Sequence, residues 1–318
     1  MVSASPDNGV AVPRMAVLVY GAGAVGCFWG GLLARAGHDI RFVARGEQLR
    51  ALQTSGIRIR SQSLGNVTLG PVKAGETAAV MGQVDLVLVC VKDHQTQAIL
   101  DDLAALDDPR TVFVGLQNGI EADTRLVGRL GGTRVLSSVV YVSVSIEAPG
   151  VVDHAARGLL LLGNPHGVPE DRAAAVAECL GAPGLQARLV DDIDLARWRK
   201  LMWNSAFNAV SALTSQTSVT LLGVPETRAA IRDLMQEVAA VARAEGVPLT
   251  DADVEASLDE TARLLPITTS MVVDRSRGRR METEALVGAV IRLGRAAGVP
   301  TPVSDVLYSL LKAVDAST

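Results

Sequence analysis

The sequence predicts an α/β fold in which a doubly wound, largely parallel sheet is followed by an all-helical domain. Short apolar runs alternate with helical patterns over the first half of the chain, as in sheets covered by helices on both faces. These strand-like patterns stop near residue 190, and helical periodicity continues to the end. A glycine-rich segment joins the first apolar run to the first helical pattern, where sheets of this kind bind ligands.

Length and composition set bounds on this fold. The chain has 318 residues, of which 48% are hydrophobic and 20% are charged. That is enough for two domains with buried cores and no stabilising disulfide or metal. The formal net charge is −4 and no basic run is long, so nothing indicates a nucleic-acid surface. Three scattered cysteines indicate reduced thiols in a cytoplasmic protein, and four histidines without zinc-binding spacing predict no metal site.

The beginning of the chain is predicted to be a disordered leader. Residues 1–14 are small and polar, and they lack the apolar core of a signal peptide. No stretch of the chain approaches the roughly 18 apolar residues of a membrane-spanning helix. We therefore expect the first structural element at residue 15 and no association with a membrane.

The sheet-forming domain is predicted to span residues 15–190. Its apolar runs are short and continuous, as buried parallel strands require. The first helix follows the glycine-rich segment and runs to Ala36, where Gly37 ends it as a C-cap. The predicted strands, the third and fourth of which form a hairpin, are 15–20, 39–44, 57–61, 66–70, 85–91, 111–116, 134–146 and 158–162.

The helical domain is predicted to span residues 191–318. Pro225 favours the start of a helix, and Gly246 and Gly298 favour helix ends. A cleft between the two domains is the expected ligand site, since such clefts commonly bind small molecules. The predicted helices are 193–213, 225–245, 251–264, 281–297 and 303–314.

The glycine-rich segment has the G-x-G-x-x-G spacing of a dinucleotide-binding loop. Gly21 permits a tight turn, Gly23 lets the backbone approach a pyrophosphate, and Gly26 allows close helix–strand packing. The helix that follows supplies N–H groups and a positive dipole end. This context predicts a Rossmann-type domain, the alternative being a glycine-rich turn without a ligand. The predicted cofactor-binding loop consists of Gly21, Ala22, Gly23, Ala24, Val25 and Gly26.

The residue that follows the second strand distinguishes the two nicotinamide cofactors. Proteins that bind NAD usually place Asp or Glu there, to bind the ribose 2′-hydroxyl. Here the strand ends at Arg45, whose guanidinium suits the 2′-phosphate of NADP(H). Asp39 begins the strand, so it is poorly placed to bind the ribose. Glu47, two residues beyond Arg45, is a weaker candidate for that role than Arg45 is for the phosphate. The sequence therefore favours NADP(H), with a solvated loop arginine as the alternative.

Polar residues also follow the next two strands. Lys92 and Gln95 follow the strand 85–91, and Asn118 follows the strand 111–116. Residues at the carboxyl ends of parallel strands face the ligand crevice. The amide of Asn118 could hydrogen-bond a nicotinamide or a substrate carbonyl. Each of the three could equally be an ordinary loop residue.

A polar stripe is predicted on the first helix of the second domain. Lys200, Asn204 and Asn208 are four residues apart and lie on one helix face. Trp203 and Phe207 edge this face, and such side chains should not face water. This favours a polar patch in a cleft over a solvated stripe. A lysine there can have a lowered pKa and serve as a proton donor.

Together these features resemble the ketopantoate reductase (2-dehydropantoate 2-reductase) family. The resemblance extends from Met15 to about Lys312, and it rests on GAGAVG, R-x-E, V-K-x-x-Q, L-Q-N-G, W-R-K-L-x-x-N and S-M-x-x-D. Members of that family use NADPH to reduce the 2-oxo group of ketopantoate, giving pantoate on the route to pantothenate and coenzyme A. The resemblance implies this activity, a small 2-oxo acid as substrate, and a homodimer.

The resemblance also implies roles for individual residues. Lys200 matches the family's catalytic lysine. Lys92 and Gln95 match residues on the cofactor side, and Asn118 matches an asparagine near both nicotinamide and substrate. Substrate-binding roles are implied for Asn118, Asn204, Asn208 and Ser270.

The acidic substrate-binding position has two candidates. The spacing from Ser270 selects Glu282 and keeps Gly288 in register, whereas a literal motif match selects Glu284 but needs an insertion. We predict that Glu282 binds the substrate and that Glu284 behaves as a surface residue. Asparagines common in the family are replaced by Ser218, Ile267 and Val287, which leaves the particular 2-oxo acid open but not the type of reaction. The alternatives are an enzyme of the same build that acts on another 2-oxo acid or in the oxidative direction, and a non-catalytic NADPH-binding regulator, against which Lys200, Asn118 and Ser270 argue.

Overall fold

The computed structural model of the chain describes residues 14–316. Of the predicted leader, residues 1–13 lie outside the described part of the chain. Within residues 14–316, no helix combines the length and the apolar character needed to cross a membrane.

One large sheet forms the first part of the structure. The strands run in the order β4-β3-β9-β8-β7-β6-β1-β2-β5, and β10 pairs with β9. Within it, β5-β2-β1-β6-β7-β8 is parallel throughout and has the strand order of dinucleotide-binding sheets. The strands are β1 (Ala16–Tyr20), β2 (Asp39–Val43), β3 (Ile57–Ser61), β4 (Val67–Leu69), β5 (Lys73–Gly75), β6 (Leu86–Val89), β7 (Val112–Gly115), β8 (Val135–Ala148), β9 (Val151–Gly163) and β10 (Gln186–Leu189).

Helices cover this sheet and form the rest of the molecule. A single π-helical turn, Glu284–Gly288, precedes α11. The predicted fold class is confirmed: within residues 14–316 the sheet comes first and only helices follow it. The α-helices are α1 (Ala24–Arg35), α2 (Gly46–Thr54), α3 (Thr96–Ala104), α4 (Ala122–Leu130), α5 (Glu170–Leu180), α6 (Ile193–Thr214), α7 (Ser218–Leu222), α8 (Pro225–Ala244), α9 (Asp251–Arg263), α10 (Ser270–Ser276), α11 (Ala289–Ala297) and α12 (Pro302–Asp315).

The central strands are buried on both faces, which explains their continuous apolar sequences. In β1, Val17 and Val19 point into one apolar core, whereas Leu18 and Tyr20 point into a second core across the sheet. Side chains alternate between the faces because a strand repeats every two residues. A third core lies among the helices and is built around α6, which packs against α8, α10 and α12. The carboxyl ends of the central strands and α6 together position the candidate site.

Several elements differ from the sequence-based prediction. The strands β5 and β10 and the helices α7 and α10 were not predicted, because they have only three to seven residues each. The strand predicted at 158–162 begins earlier, at Val151. Its first half was missed because it is more polar, alternates between buried and exposed residues, and is interrupted by a bulge near Arg157. The helix predicted over 281–297 begins later, because Met281 and Glu282 are not helical, and its first turn is π-helical.

Candidate active site

The glycine-rich turn has the geometry that the sequence predicts. Gly21 has φ +102°, and a Cβ atom there would lie 2.8 Å from the backbone nitrogen of Val91. A Cβ on Gly26 would lie 2.2 Å from the carbonyl oxygen of Gly21, so α1 could not approach β1. At Gly23 no atom lies within 4 Å of a Cβ position. The turn is thus open at the N-terminus of α1 and fits a pyrophosphate group.

Arg45 lies at the end of β2, immediately before α2, and its side chain is exposed. The guanidinium forms no hydrogen bond or ion pair with the residues of the described range, so it is available to an anion. Asp39 is instead engaged by Arg41, at 2.6 Å between the carboxylate and the guanidinium. Glu47 is exposed in the first turn of α2.

A chain of hydrogen bonds joins residues at the carboxyl ends of the central strands to the helices. The Lys200 ammonium donates to the side-chain oxygen of Asn118 (3.0 Å) and to the carbonyl oxygen of Val140 (2.6 Å). The Asn118 amide in turn donates to the Glu282 carboxylate at 2.9 Å. The Lys92 ammonium donates to the same carboxylate oxygen at 3.1 Å. The structure therefore brings together four of the predicted site residues.

Lys92 also contacts a residue to which the sequence analysis gave no role. Its ammonium lies 2.8 Å from a carboxylate oxygen of Asp274, on α10. Asp274 is the last residue of the S-M-x-x-D motif, which was the only sequence signal for it. Gln95 is exposed, and its side-chain oxygen accepts a hydrogen bond from the backbone N–H of Lys92 (3.2 Å).

Burial and neighbouring charges shift the pKa values in this chain of residues. Burial lowers the pKa of Lys200 to about 8, although the Glu282 carboxylate opposes the change. Burial would raise the pKa of Glu282, but Lys92, the Asn118 amide and Lys200 hold it below its ordinary value. The pKa of Lys92 is raised by Glu282 and Asp274 despite its burial. The site therefore contains an ionised carboxylate and a lysine that can exchange a proton near neutral pH.

The polar stripe on α6 faces inward. Asn204 and Asn208 are 7% and 2% exposed, and their side chains form no hydrogen bond with another residue of the described range. Buried amides normally have partners, so these two are available to a ligand. Trp203 and Phe207 stack with ring centroids 4.9 Å apart beside the stripe. Ser270 is exposed at the start of α10.

Glu284 lies in a different environment from Glu282. Its carboxylate accepts hydrogen bonds from Tyr308 (2.6 Å), Lys312 (3.0 Å) and Arg292 (3.1 Å). These bonds hold Glu284 against α11 and α12. The expectation that Glu284 behaves as a surface residue is therefore wrong: it is half-buried and has three partners, which sequence spacing does not reveal.

At the three positions where family asparagines are replaced, the side chain is buried or the residue forms hydrogen bonds within the protein. Val287 is 1% exposed and packs in the core of the helices. The Ser218 hydroxyl accepts a hydrogen bond from the backbone N–H of Ile267 at 3.3 Å. The backbone N–H of Ser218, at the start of α7, also donates to the carbonyl oxygen of Ile267 at 3.1 Å.

Sequence reasoning missed two groups that hold Lys200. The carbonyl of Val140 has no sequence signal, since every residue has one. Tyr141 lies in the long strand β8, and its ring centroid is 5.8 Å from the Lys200 ammonium, within reach of a cation–π interaction. Among residues 14–316, no cluster of three or more His, Cys, Asp or Glu side chains could hold a metal ion.

The strand order and the open glycine turn are typical of pyridine-nucleotide-dependent oxidoreductases, and the buried Lys200 beside them is a candidate proton donor. Sequence comparison narrows that class. The profile described as "Ketopantoate reductase PanE/ApbA" matches residues 17–167, and the profile of the C-terminal part of the same family matches residues 192–315. The chain therefore belongs to the ketopantoate reductase PanE/ApbA family, as its motifs predict.

Individual relatives cover almost the whole chain. A 2-dehydropantoate 2-reductase of Mesorhizobium japonicum is 35% identical over 94% of this chain and 97% of its own length. The crystal structure of a PanE/ApbA family ketopantoate reductase from Ralstonia eutropha JMP134 is 35% identical, with a TM-score of 0.86 over 95% of this chain and 98% of that one. That of a 2-dehydropantoate 2-reductase from Geobacter metallireducens GS-15 is 30% identical, with a TM-score of 0.88 over 93% and 99%.

Proposed function

We propose that this protein reduces 2-dehydropantoate (ketopantoate) to pantoate with NADPH. The observation that carries the proposal is the hydrogen-bonded chain from Lys200 through Asn118 to Glu282. In this chain, the Lys200 ammonium and the Glu282 carboxylate lie on either side of the Asn118 amide. A small 2-oxo acid that also bears a hydroxyl group offers a partner to each. Similarity to named 2-dehydropantoate 2-reductases supports the same substrate.

Lys200 is the proposed proton donor. Bound NADPH would supply a hydride to the 2-oxo carbon, leaving negative charge on the oxygen. A lysine ammonium has three N–H donors, and Asn118 and Val140 accept from two of them. The third is left for the substrate oxygen, where it stabilises the developing charge and then donates its proton.

The remaining polar groups would orient the substrate. Glu282 is held ionised, so it can accept a hydrogen bond from the substrate's hydroxyl. Asn204, Asn208 and Ser270 would bind the carboxylate and hydroxyl groups. Fixing a small substrate at several points places its reacting carbon correctly before the reaction begins.

The choice of NADPH over NADH is part of the proposal. It is supported by the free guanidinium of Arg45 and by the engagement of Asp39 with Arg41. Lys92 and Gln95 would act on the cofactor side of the site. We also propose that the chain forms two domains, residues 15–190 and 191–318. The boundary falls between β10 and α6. The homodimer and the cytoplasmic location stay predictions.

The pH dependence should follow the protonation of Lys200. A proton donor acts in its charged form, so kcat/KM for reduction should fall as pH rises through about 8. Because the Glu282 carboxylate raises the pKa of Lys200, Glu282→Gln should move this fall to lower pH. Steady-state rates from pH 6 to 10 would show it. A profile that is flat through this range would contradict the assignment of Lys200.

Replacing Glu282 should weaken substrate binding. Glu282→Ala is expected to raise KM and to lower kcat/KM by about 1.5–3 kcal/mol, the range for a hydrogen bond to a charged group. The variant should also discriminate less between ketopantoate and 2-oxoisovalerate, which lacks the hydroxymethyl group. Glu284→Ala is the comparison variant: it should lower the Tm, because three partners lose their acceptor, and raise KM much less than Glu282→Ala does. A larger kinetic loss in Glu284→Ala would show that the acidic position has been misassigned.

The alternative function is a regulator that binds NADPH without catalysis. Oxidation of NADPH, followed by absorbance with ketopantoate present, separates the two. We expect multiple turnovers that require both protein and 2-oxo acid. Tight NADPH binding without turnover on any 2-oxo acid would favour the regulator and contradict the proposal.

A further inference from the structure

The segment that carries Glu282 is held by the last helix. Asp315, at the end of α12, accepts hydrogen bonds from the backbone N–H of Met281 (3.1 Å) and from the hydroxyl of Thr283 (3.0 Å). One carboxylate therefore binds the residues on both sides of Glu282. Met281, Glu282 and Thr283 are 2%, 4% and 1% exposed, so water hardly competes for these bonds.

The same face of α12 binds the residue that follows. Tyr308, Lys312 and Asp315 are separated by four and three residues, so they lie on one side of the helix. Tyr308 and Lys312 both donate to the Glu284 carboxylate. One face of α12 thus binds the segment 281–284 at three of its four residues.

This anchoring matters because the partners of Glu282 belong to the other part of the molecule. Asn118 and Lys92 follow β7 and β6, whereas Glu282 lies at the start of a helical segment. Met281 precedes this segment and is not helical, so its backbone N–H has no partner in the helix. Asp315 supplies that partner to Met281. The position at which the carboxylate meets Asn118 therefore depends on a contact with α12.

We propose that Asp315 is a positioning residue for Glu282, acting through Met281 and Thr283. The inference rests on the proposed function, in which Glu282 accepts a hydrogen bond from the substrate's hydroxyl. Asp315 touches neither substrate nor cofactor in this account. Its removal should therefore affect recognition of the hydroxymethyl group and leave NADPH binding unchanged.

The test compares two substrates in variants at position 315. Asp315→Ala should lower kcat/KM for ketopantoate about tenfold, a loss on the scale of one or two buried hydrogen bonds. The value for 2-oxoisovalerate should change by less than about threefold, since this substrate has no hydroxyl for Glu282 to bind. Asp315→Asn retains an oxygen acceptor for Met281 and should recover most of the activity. Asp305→Ala removes an exposed carboxylate from the same helix and is the matched control.

A double-mutant cycle separates positioning from general destabilisation. If Asp315 acts through Glu282, Asp315→Ala should cost little more in a Glu282→Ala background. Equal losses in both backgrounds, or equal losses for both substrates, would overturn the inference. If Asp315→Ala does not fold, Thr283→Val removes one of the two hydrogen bonds and should give a smaller loss of the same kind.

One measurement does not depend on the substrate. Amide hydrogen exchange at Met281 to Glu284 should be faster in Asp315→Ala and unchanged in Asp305→Ala. Unchanged exchange in Asp315→Ala would overturn the inference by itself. If exchange is faster but Glu282→Ala does not alter substrate discrimination, the anchoring is correct and the proposed role of Glu282 is wrong.

Discussion

Replacing Lys200 by alanine is expected to lower kcat at least about a hundredfold, the usual scale for loss of a general acid. Its ammonium is held by Asn118 and Val140, and burial brings its pKa to about 8. Both features prepare it to give up a proton to a nearby oxygen. Steady-state kinetics at saturating NADPH and substrate would measure the loss, and fluorescence titration should show nearly unchanged NADPH affinity.

A second variant separates proton donation from charge. Lys200→Arg keeps a positive charge but gives up its proton far less readily, because arginine stays protonated in proteins. We expect this variant to lose most of the activity as well. A kcat close to that of the unmodified protein in Lys200→Ala would show that another group donates the proton.

Replacing Arg45 by alanine is expected to weaken NADPH binding roughly tenfold to over a hundredfold, as for loss of a bidentate contact with a phosphate. NADH lacks the 2′-phosphate, so its affinity should hardly change. The structure leaves the Arg45 guanidinium exposed at the end of β2. Titration of both cofactors against both proteins would give the four dissociation constants needed.

The matched control for Arg45 is another exposed arginine on the adjoining helix. Arg50 lies on α2, and Arg50→Ala removes the same charge without altering the end of β2. Long-range attraction alone would make both variants lose NADPH affinity to a similar degree. Equal affinity of the unmodified protein for NADPH and NADH would contradict the assignment of Arg45.

Much of the fold could be predicted because its signals are local. Continuous apolar runs identify the central strands, and the glycine turn needs residues that permit φ +102° at Gly21 and close packing at Gly26. The missed elements lack such signals. Strands of three or four residues, such as β5 and β10, have too few positions to show a period. The π-helical turn at 284–288 departs from the period that identifies helices.

The sequence predicted those residues of the candidate site that belong to recognisable motifs. Spacing from Ser270 selected Glu282, and the structure places that carboxylate 2.9 Å from the Asn118 amide. Contacts between distant segments have no sequence signal of this kind. Val140 contributes a backbone carbonyl, and Asp274 and Asp315 contact residues far from them in sequence. These contacts exist only once the sheet and helices have packed together.

The most direct test of the central claim is a comparison of kcat/KM across both cofactors and three 2-oxo acids. Ketopantoate, 2-oxoisovalerate and pyruvate differ in the hydroxyl that Glu282 is proposed to bind and in their size. We expect ketopantoate with NADPH to give the highest value, at least about tenfold above 2-oxoisovalerate, since one hydrogen bond to a charged group is lost with the latter. A higher value for 2-oxoisovalerate or pyruvate, or for NADH with ketopantoate, would contradict that claim.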